Sequence, residues 1–288
     1  MSKNRSTFIV LLVLTVFVLA TGSASAQLVG TIKDVETPVG STGKVDWTTG
    51  VITAVGIGAP PAQSANAASA RAMAERAAQV VAYRNLLEAV KGVQIDSQTV
   101  VEMAMVQSDT IRASVSGYVQ GATIMDKKYM SDGSVEVTVG MKLTGALADA
   151  LLPKAPTTPP APVTPPTGMT PASLGQLYTG LIVDARGLGA KPAMVPKIVN
   201  EDGKEVYGSA WISRDYAVRE GMAGYLRELD QAKSNPRVTD KPLIVKALRV
   251  SGDARVDLMI SNADAAMLHS ASQNLSMLEK CRVIILVD

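Results

Sequence analysis

Residues 51–92 read VITAVGIGAPPAQSANAASARAMAERAAQVVAYRNLLEAVKG, and the fold turns on this stretch. Val51 to Ile57, with Val45 and Trp47 on the other side of Thr48-Thr49-Gly50, read as paired strands around a turn. Pro60, Pro61 and Ser64 then open an alanine-rich run that ends at Lys91 with Gly92 behind it, the start and stop signals of one long helix. Met73, Ala77, Val80, Tyr83, Leu87 and Val90 recur three and four apart, so this stripe is predicted to pack on a sheet. Arg76 interrupts the stripe, which requires either a bend or a partner for its guanidinium. So many alanines let a helix approach its neighbour closely, which favours tight docking over a ligand cavity.

Downstream, residues 114–143 read as a long hairpin. Val135, Val137, Val139, Met141 and Leu143 alternate with polar or small residues, and Ser131-Asp132-Gly133 supplies the turn from a strand ending near Met130. Residues 146–152 read as a short closing helix. The expected class is therefore α+β, a long helix packed on an antiparallel sheet with a long hairpin.

Eight of the fifteen prolines fall in PKAPTTPPAPVTPPTGMTP, residues 153–171. Such a sequence forms neither helix nor ladder and is expected to be an extended spacer. The expected organisation is an export signal at 1–26, an α+β domain at 27–152, a Pro/Thr-rich linker at 153–172 and a second α/β sandwich domain at 173–288. In that second domain residues 177–184, 243–250 and 255–260 read as strands, and residues 197–207 as a hairpin around Glu201-Asp202-Gly203. Residues 216–233 read as a helix despite Gly221 and Gly224. Ser261 and Asp264 open another helix, lined by Leu268, Ala271, Leu275 and Leu278. The apolar run 283–287 is typical of a central strand, and it predicts a buried carboxyl end.

Lys3 and Arg5 precede a thirteen-residue run, 8–20, broken only by Thr15, and Thr-Gly-Ser-Ala-Ser-Ala follows. That order predicts a secretory signal peptide cleaved between Ala26 and Gln27, and the run is too short for a membrane span. With Gln27 rather than Cys after the cleavage site, acylation is not expected. No later stretch is long enough to span a bilayer. Without the signal, 26 basic side chains balance 26 acidic ones, which argues against nucleic acid as a partner. The expected location is the periplasm or an association with the outer membrane.

One Cys and one His rule out most metal sites and leave little catalytic equipment, so no catalytic, cofactor or metal residue is assigned. Gly56-Ile57-Gly58 and Gly187-Leu188-Gly189 lack the rest of a phosphate-loop pattern and read as turns. His269 has no second His or acidic neighbour at helical spacing, and Cys281 no imidazole nearby in sequence. His269 reads as a packed or surface residue and Cys281 as a small buried hydrophobe. Asp184 with Arg186, and Arg255 with Asp253 and Asp257, read as ion pairs on one face of a strand. The densest special sequence, DARGLGAKPAMVPK at residues 184–197, places Arg186, Lys191 and Lys197 beside glycines and prolines. It reads either as a structured loop or as an anion or partner site with exposed backbone amides. With two Trp and seven Tyr, a sugar-stacking platform is poorly supplied.

The run Ala70-Arg71-Ala72-Met73-Ala74-Glu75-Arg76-Ala77-Ala78, continued by Tyr83-Arg84-Asn85-Leu86-Leu87 and Lys91-Gly92-Val93, resembles the helix of the LPP20-like bacterial envelope lipoproteins. Val115 to Ala122, leading into the Asp132-Gly133 hairpin, resembles the same family, which is itself similar to the flagellar lipoprotein FlgP and the first domain of FlgT. The resemblance spans residues 45–150. It implies a non-enzymatic envelope component with protein partners and self-association, often connected with flagella and motility, and it brings no catalytic residues or cofactor. The alternative is a periplasmic module that binds a peptide, a glycan or an anion near Arg186 and Lys191. Mass spectrometry of the exported protein is expected to find Gln27 as the first residue; a start at Met1 would contradict the signal.

Overall fold

The computed structural model describes residues 34–153 and 176–288. The expected signal, with Ala26 and Gln27, and the proline-rich stretch beyond Pro153 lie outside the described residues. Strands β1 (Glu36–Val39), β2 (Gly43–Asp46), β3 (Val51–Gly58), β4 (Thr123–Tyr129) and β5 (Val135–Lys142) form one antiparallel sheet in the order β1-β2-β3-β5-β4. The long helix α1 (Ala67–Lys91) crosses β3 and β5. Asn66 caps it by accepting the Ser69 amide at 2.8 Å, and Gly92 ends it. This is the expected α+β layer.

The packing stripe of α1 differs from the expected one. Ala74, Ala78, Ala82, Leu86, Ala89 and Val90 are buried, whereas Met73 and Val80 are 52% and 61% exposed. The reason lies in the strand beneath. Ile52, Ala54, Gly56 and Gly58 alternate toward α1, and a Cβ on Gly56 or Gly58 would overlap the helix backbone at Ala74, Ala78 and Ala82. Small side chains on both elements let them meet, and larger ones on α1 would hold them apart. Gly56 and Gly58 therefore serve a helix–strand contact rather than the expected turn. Arg76 is exposed on the opposite side of the helix, so it neither spoils the packing face nor needs a bend.

The hairpin spans β4 and β5 only. Residues 114–120, expected as strand, belong to helix α3 (Asp109–Gln120), which follows α2 (Val101–Gln107). Ser108 caps α3 by accepting the Ile111 amide, and Val115 and Val119, one turn apart, are its buried residues. The closing helix α4 (Ala146–Leu151) lies where expected.

Beyond the proline-rich stretch, β6 (Gly180–Asp184), β9 (Gly224–Leu226), β10 (Pro242–Lys246) and β13 (Val283–Leu286) form a parallel sheet in the order β10-β6-β13-β9. Strand β13 is central and wholly buried, as its apolar run predicts. Val287 is buried too, but Asp288 is exposed, which corrects the expected burial of the end. A second four-stranded sheet, β11-β12-β7-β8, joins β7 (Ile198–Val199), β8 (Glu205–Tyr207), β11 (Arg249–Ser251) and β12 (Asp257–Met259). The expected strand 243–250 is thus two strands in different sheets.

Two expected helices are also broken. Gly221, at φ +76°, ends α5 (Arg214–Glu220), so β9 and α6 (Leu229–Lys233) replace one helix over 216–233. The last helix divides into α7 (Asn262–His269) and α8 (Ser272–Glu279). There the Met267 carbonyl accepts from Ser270 Oγ and from the buried Asn274 amide, which also holds Tyr178 and Gln176. Ser261 and Asp264 form the expected capping box.

One continuous apolar core runs from Ile52 and Val137 through Leu147 and Leu152 to Leu181 and Ile285. A smaller cluster under α6, with Ile182, Leu226 and Ile284, covers the other face of the parallel sheet. Gly56→Ala is expected to cost about 2–3 kcal/mol in urea unfolding, the cost of overpacking a close contact. Gly117→Ala on α3, where an added Cβ meets nothing within 4 Å, is expected to gain about 0.5–1 kcal/mol. Equal effects would contradict the contact.

Candidate functional site

The loop singled out by sequence follows β6 at the carboxyl edge of the parallel sheet. Arg186 is engaged by Asp184 through Nε at 2.9 Å and Nη2 at 2.7 Å, and its Nη1 reaches the Arg227 carbonyl. That pair holds the Asp184 carboxyl below its usual range. Gly187 and Gly189, both at positive φ, donate their amides to the Asp288 carboxylate at 2.8 and 3.3 Å. The loop amides thus hold a carboxylate of the chain itself. Lys191 and Lys197 are exposed, and nothing in the geometry gathers them with Arg186. Arg255 pairs with neither Asp253 nor Asp257 among the described residues; it donates to the Leu188 carbonyl instead.

The two residues with nucleophile or base chemistry are packed. Cys281 is fully buried, and burial pushes its thiol up to about 11, so it carries no thiolate at neutral pH. His269 is 6% exposed, lies against Trp211 with ring centroids 4.4 Å apart, and places Nε2 2.9 Å from the Val206 carbonyl. Burial lowers its pKa. Trp47 and Trp211 are both buried rather than displayed on the outer surface. Among the described residues no group of His, Cys, Asp and Glu could hold a metal ion, and no helix is long and apolar enough to cross a membrane.

What brings side chains together is the seam between residues 34–153 and 176–288. Arg214, at the start of α5, donates to the carbonyls of Leu152, Pro153 and Asp149 and to the Asp149 carboxylate. The Gly145 amide reaches the Val218 carbonyl at 2.6 Å, while Met194 and Val195 donate to Gln94 and Ile95 at 3.1 and 2.7 Å. Trp47 meets Tyr225 edge to face, with centroids 5.6 Å apart, and the Tyr225 hydroxyl exchanges hydrogen bonds with both backbone groups of Ala193.

A cavity of about 670 Å³ opens along this seam. The turn Trp47 to Gly50, Leu143 and Leu152 line one side, and Tyr216, Met222, Tyr225 and Ile284 the other. Arg219, Arg237, Lys280 and Arg282 also line it, against the single carboxylate of Glu220. Arg237 is built into the wall, donating to the carbonyls of Glu220, Gly221 and Cys281. Sequence reading missed this assembly, because its residues come from six segments that are adjacent only after folding. The apolar run over 283–287 was the local signal available.

Two outcomes follow. Unfolded His269 takes up a proton near its ordinary pKa of 6.5, whereas the buried ring resists it, so stability is full above that value and is lost as pH falls below it. Urea unfolding from pH 7 to pH 5.5 is expected to show this loss and His269→Gln to flatten it; an unchanged slope would assign the loss elsewhere. The lowered carboxyls of Asp184 and Asp132 act in a more acidic window. Arg214→Ala is expected to cost about 2 kcal/mol, as for hydrogen bonds from a charged donor, and to expose the chain near residue 153 to limited proteolysis. Wild-type resistance in the variant would contradict the clamp.

Comparison with known proteins finds different likenesses for two parts of the chain. Residues 48–142 match the LPP20 lipoprotein family, the resemblance expected from the alanine-rich helix and the hairpin. Residues 180–288 match the second domain of Treponema pallidum Tp0624. No curated protein matches the chain. The first likeness points to proteins of the envelope lipoprotein type. The chain thus joins an LPP20-like α+β layer to a unit similar to the second domain of Tp0624, across a seam that contains a cavity.

Proposed function

We propose that the chain is a non-enzymatic structural or assembly protein of the Gram-negative cell envelope, associated with the flagellum and acting through protein partners and copies of itself. In this reading residues 1–26 direct export, 27–152 form the LPP20-like domain, 153–172 the linker and 173–288 the second domain. The mature protein resides in the periplasm or against the outer membrane. Support comes from where large apolar side chains meet solvent. Of the eleven such exposed side chains among the described residues, eight lie in the LPP20-like half. They include Met73 and Val80 on the outer face of α1, Met125 on β4, and Met103 and Val106 on α2. Strand β4 is also a sheet edge, whose backbone groups are open to another strand. Exposed apolar area beside an open edge fits association better than catalysis.

Sedimentation velocity over a concentration series is expected to show self-association of the mature protein, reduced at least tenfold by Val80→Glu with Met125→Lys. A monomer at every concentration would contradict the assembly reading. A strain lacking the gene is expected to lose swimming in soft agar and regain it with the signal-bearing chain. Normal swimming would remove the flagellar part.

A further inference from the structure

We propose that the cavity along the seam binds a small amphipathic anion, a molecule with one carboxylate or phosphate group on a short apolar body. This goes beyond the assembly reading, because none of the exposed apolar side chains on which that reading rests lines the cavity. The volume, about 670 Å³, lies within the range of sites that enclose small organic molecules. Its walls supply the two kinds of contact such a molecule needs. Trp47, Leu143, Met222 and Ile284 offer apolar surface.

The cations are the more specific feature. Eight ion pairs occur among the described residues, and none uses Arg219, Lys280 or Arg282. The Lys280 ammonium and the Arg282 guanidinium make no hydrogen bond with the described residues. Arg219 uses only Nε, toward the Asp215 carbonyl, while its guanidinium lies 5.2 Å over the Tyr216 ring. Arg219 and Lys280 are exposed and Arg282 is half-buried, and without carboxylate partners the three make the potential of the cavity mouth positive, which draws an anion toward it. Glu220, the one carboxylate of the lining, forms no ion pair with them among the described residues. An anionic head satisfies the cations, and the apolar body fills the space toward Trp47. The amphipathic character follows from the lining, since a bare inorganic anion would leave the apolar wall in contact with water.

The test uses the full mature chain and calorimetric titration with decanoate and with decyl phosphate, each below its micelle concentration. Inorganic phosphate and decyltrimethylammonium are run beside them. Saturable binding of at least one decyl anion is expected, with quenching of Trp47 emission and an affinity that falls as salt rises. Comparing the two decyl anions tells a carboxylate source from a phosphate source. Arg219→Gln with Arg282→Gln is expected to weaken binding at least tenfold and leave the melting temperature near wild type. Lys197→Gln, remote from the cavity, is expected to bind normally. Equal binding of decyltrimethylammonium, no saturable binding of either anion, or full affinity in the double variant would overturn the proposal. Tighter binding of inorganic phosphate than of decyl phosphate would overturn its amphipathic part.

Discussion

Helix α1 lies on strand β3 with nothing larger than a methyl group between Gly56, Gly58 and the alanines at 74, 78 and 82. This contact decides which face of the helix is inside and how the rest of the layer is arranged. Because Gly56 and Gly58 lack side chains, α1 settles low on the sheet, and dense packing there excludes water from the strand beneath. Over this stretch of α1 the larger apolar residues Met73 and Val80 turn outward as a result, while Leu86 and Val90, beyond the glycines, stay inside. Energetic logic thus links two glycines in a strand to an apolar exterior, which is the surface the assembly reading depends on. Neighbouring contacts reinforce the fit. Asn85 donates to the Val55 carbonyl at 2.7 Å, and Glu75 receives Lys127, Tyr129 and Gln79, tying the helix to the hairpin edge.

The end of α1 has a second consequence. Gly92 releases the chain into residues 93–95, whose carbonyls at Gln94 and Ile95 take the amides of Met194 and Val195. The turn between β2 and β3 likewise places Trp47 against Tyr225. The antiparallel layer therefore offers backbone and aromatic contacts to the parallel sheet, and Arg214 adds charge-assisted bonds to the end of α4. Buried apolar side chains continue across from one half to the other, so the seam is part of the core rather than a surface contact.

Much of the layer was legible in sequence. The long helix, the Asp132-Gly133 hairpin, the short helix at 146–151 and the central strand at 283–286 follow from local punctuation and periodicity. Where reading failed, a longer-range cause decided the outcome. In α1 the expected stripe holds at Tyr83, Leu87 and Val90, which pack on the core, but fails at Met73, Ala77 and Val80, because hydrophobicity ranks Met and Val above Ala while the glycines of the partner strand select for smallness. Residues 114–120 look strand-like beside the hairpin, yet Val115 and Val119 are one helical turn apart and Ser108 caps the helix. Gly221 outweighed the helical pattern around it by taking a positive φ. The site was less legible still. The loop with Arg186 was visible, but its partner Asp288 is about a hundred residues away, and the cavity draws on segments from Trp47 to Ile284. No local pattern records such a meeting.

If the close contact of α1 and the seam make one cooperative body, native-state hydrogen exchange under rising denaturant tests that most directly. The account predicts that the amides of Ile52 and Ala54 in β3 and those of Ile284 and Ile285 in β13 converge on one opening free energy with one denaturant dependence. Exchange of the β3 amides through a separate, lower-energy opening, while β13 stays protected, would contradict it.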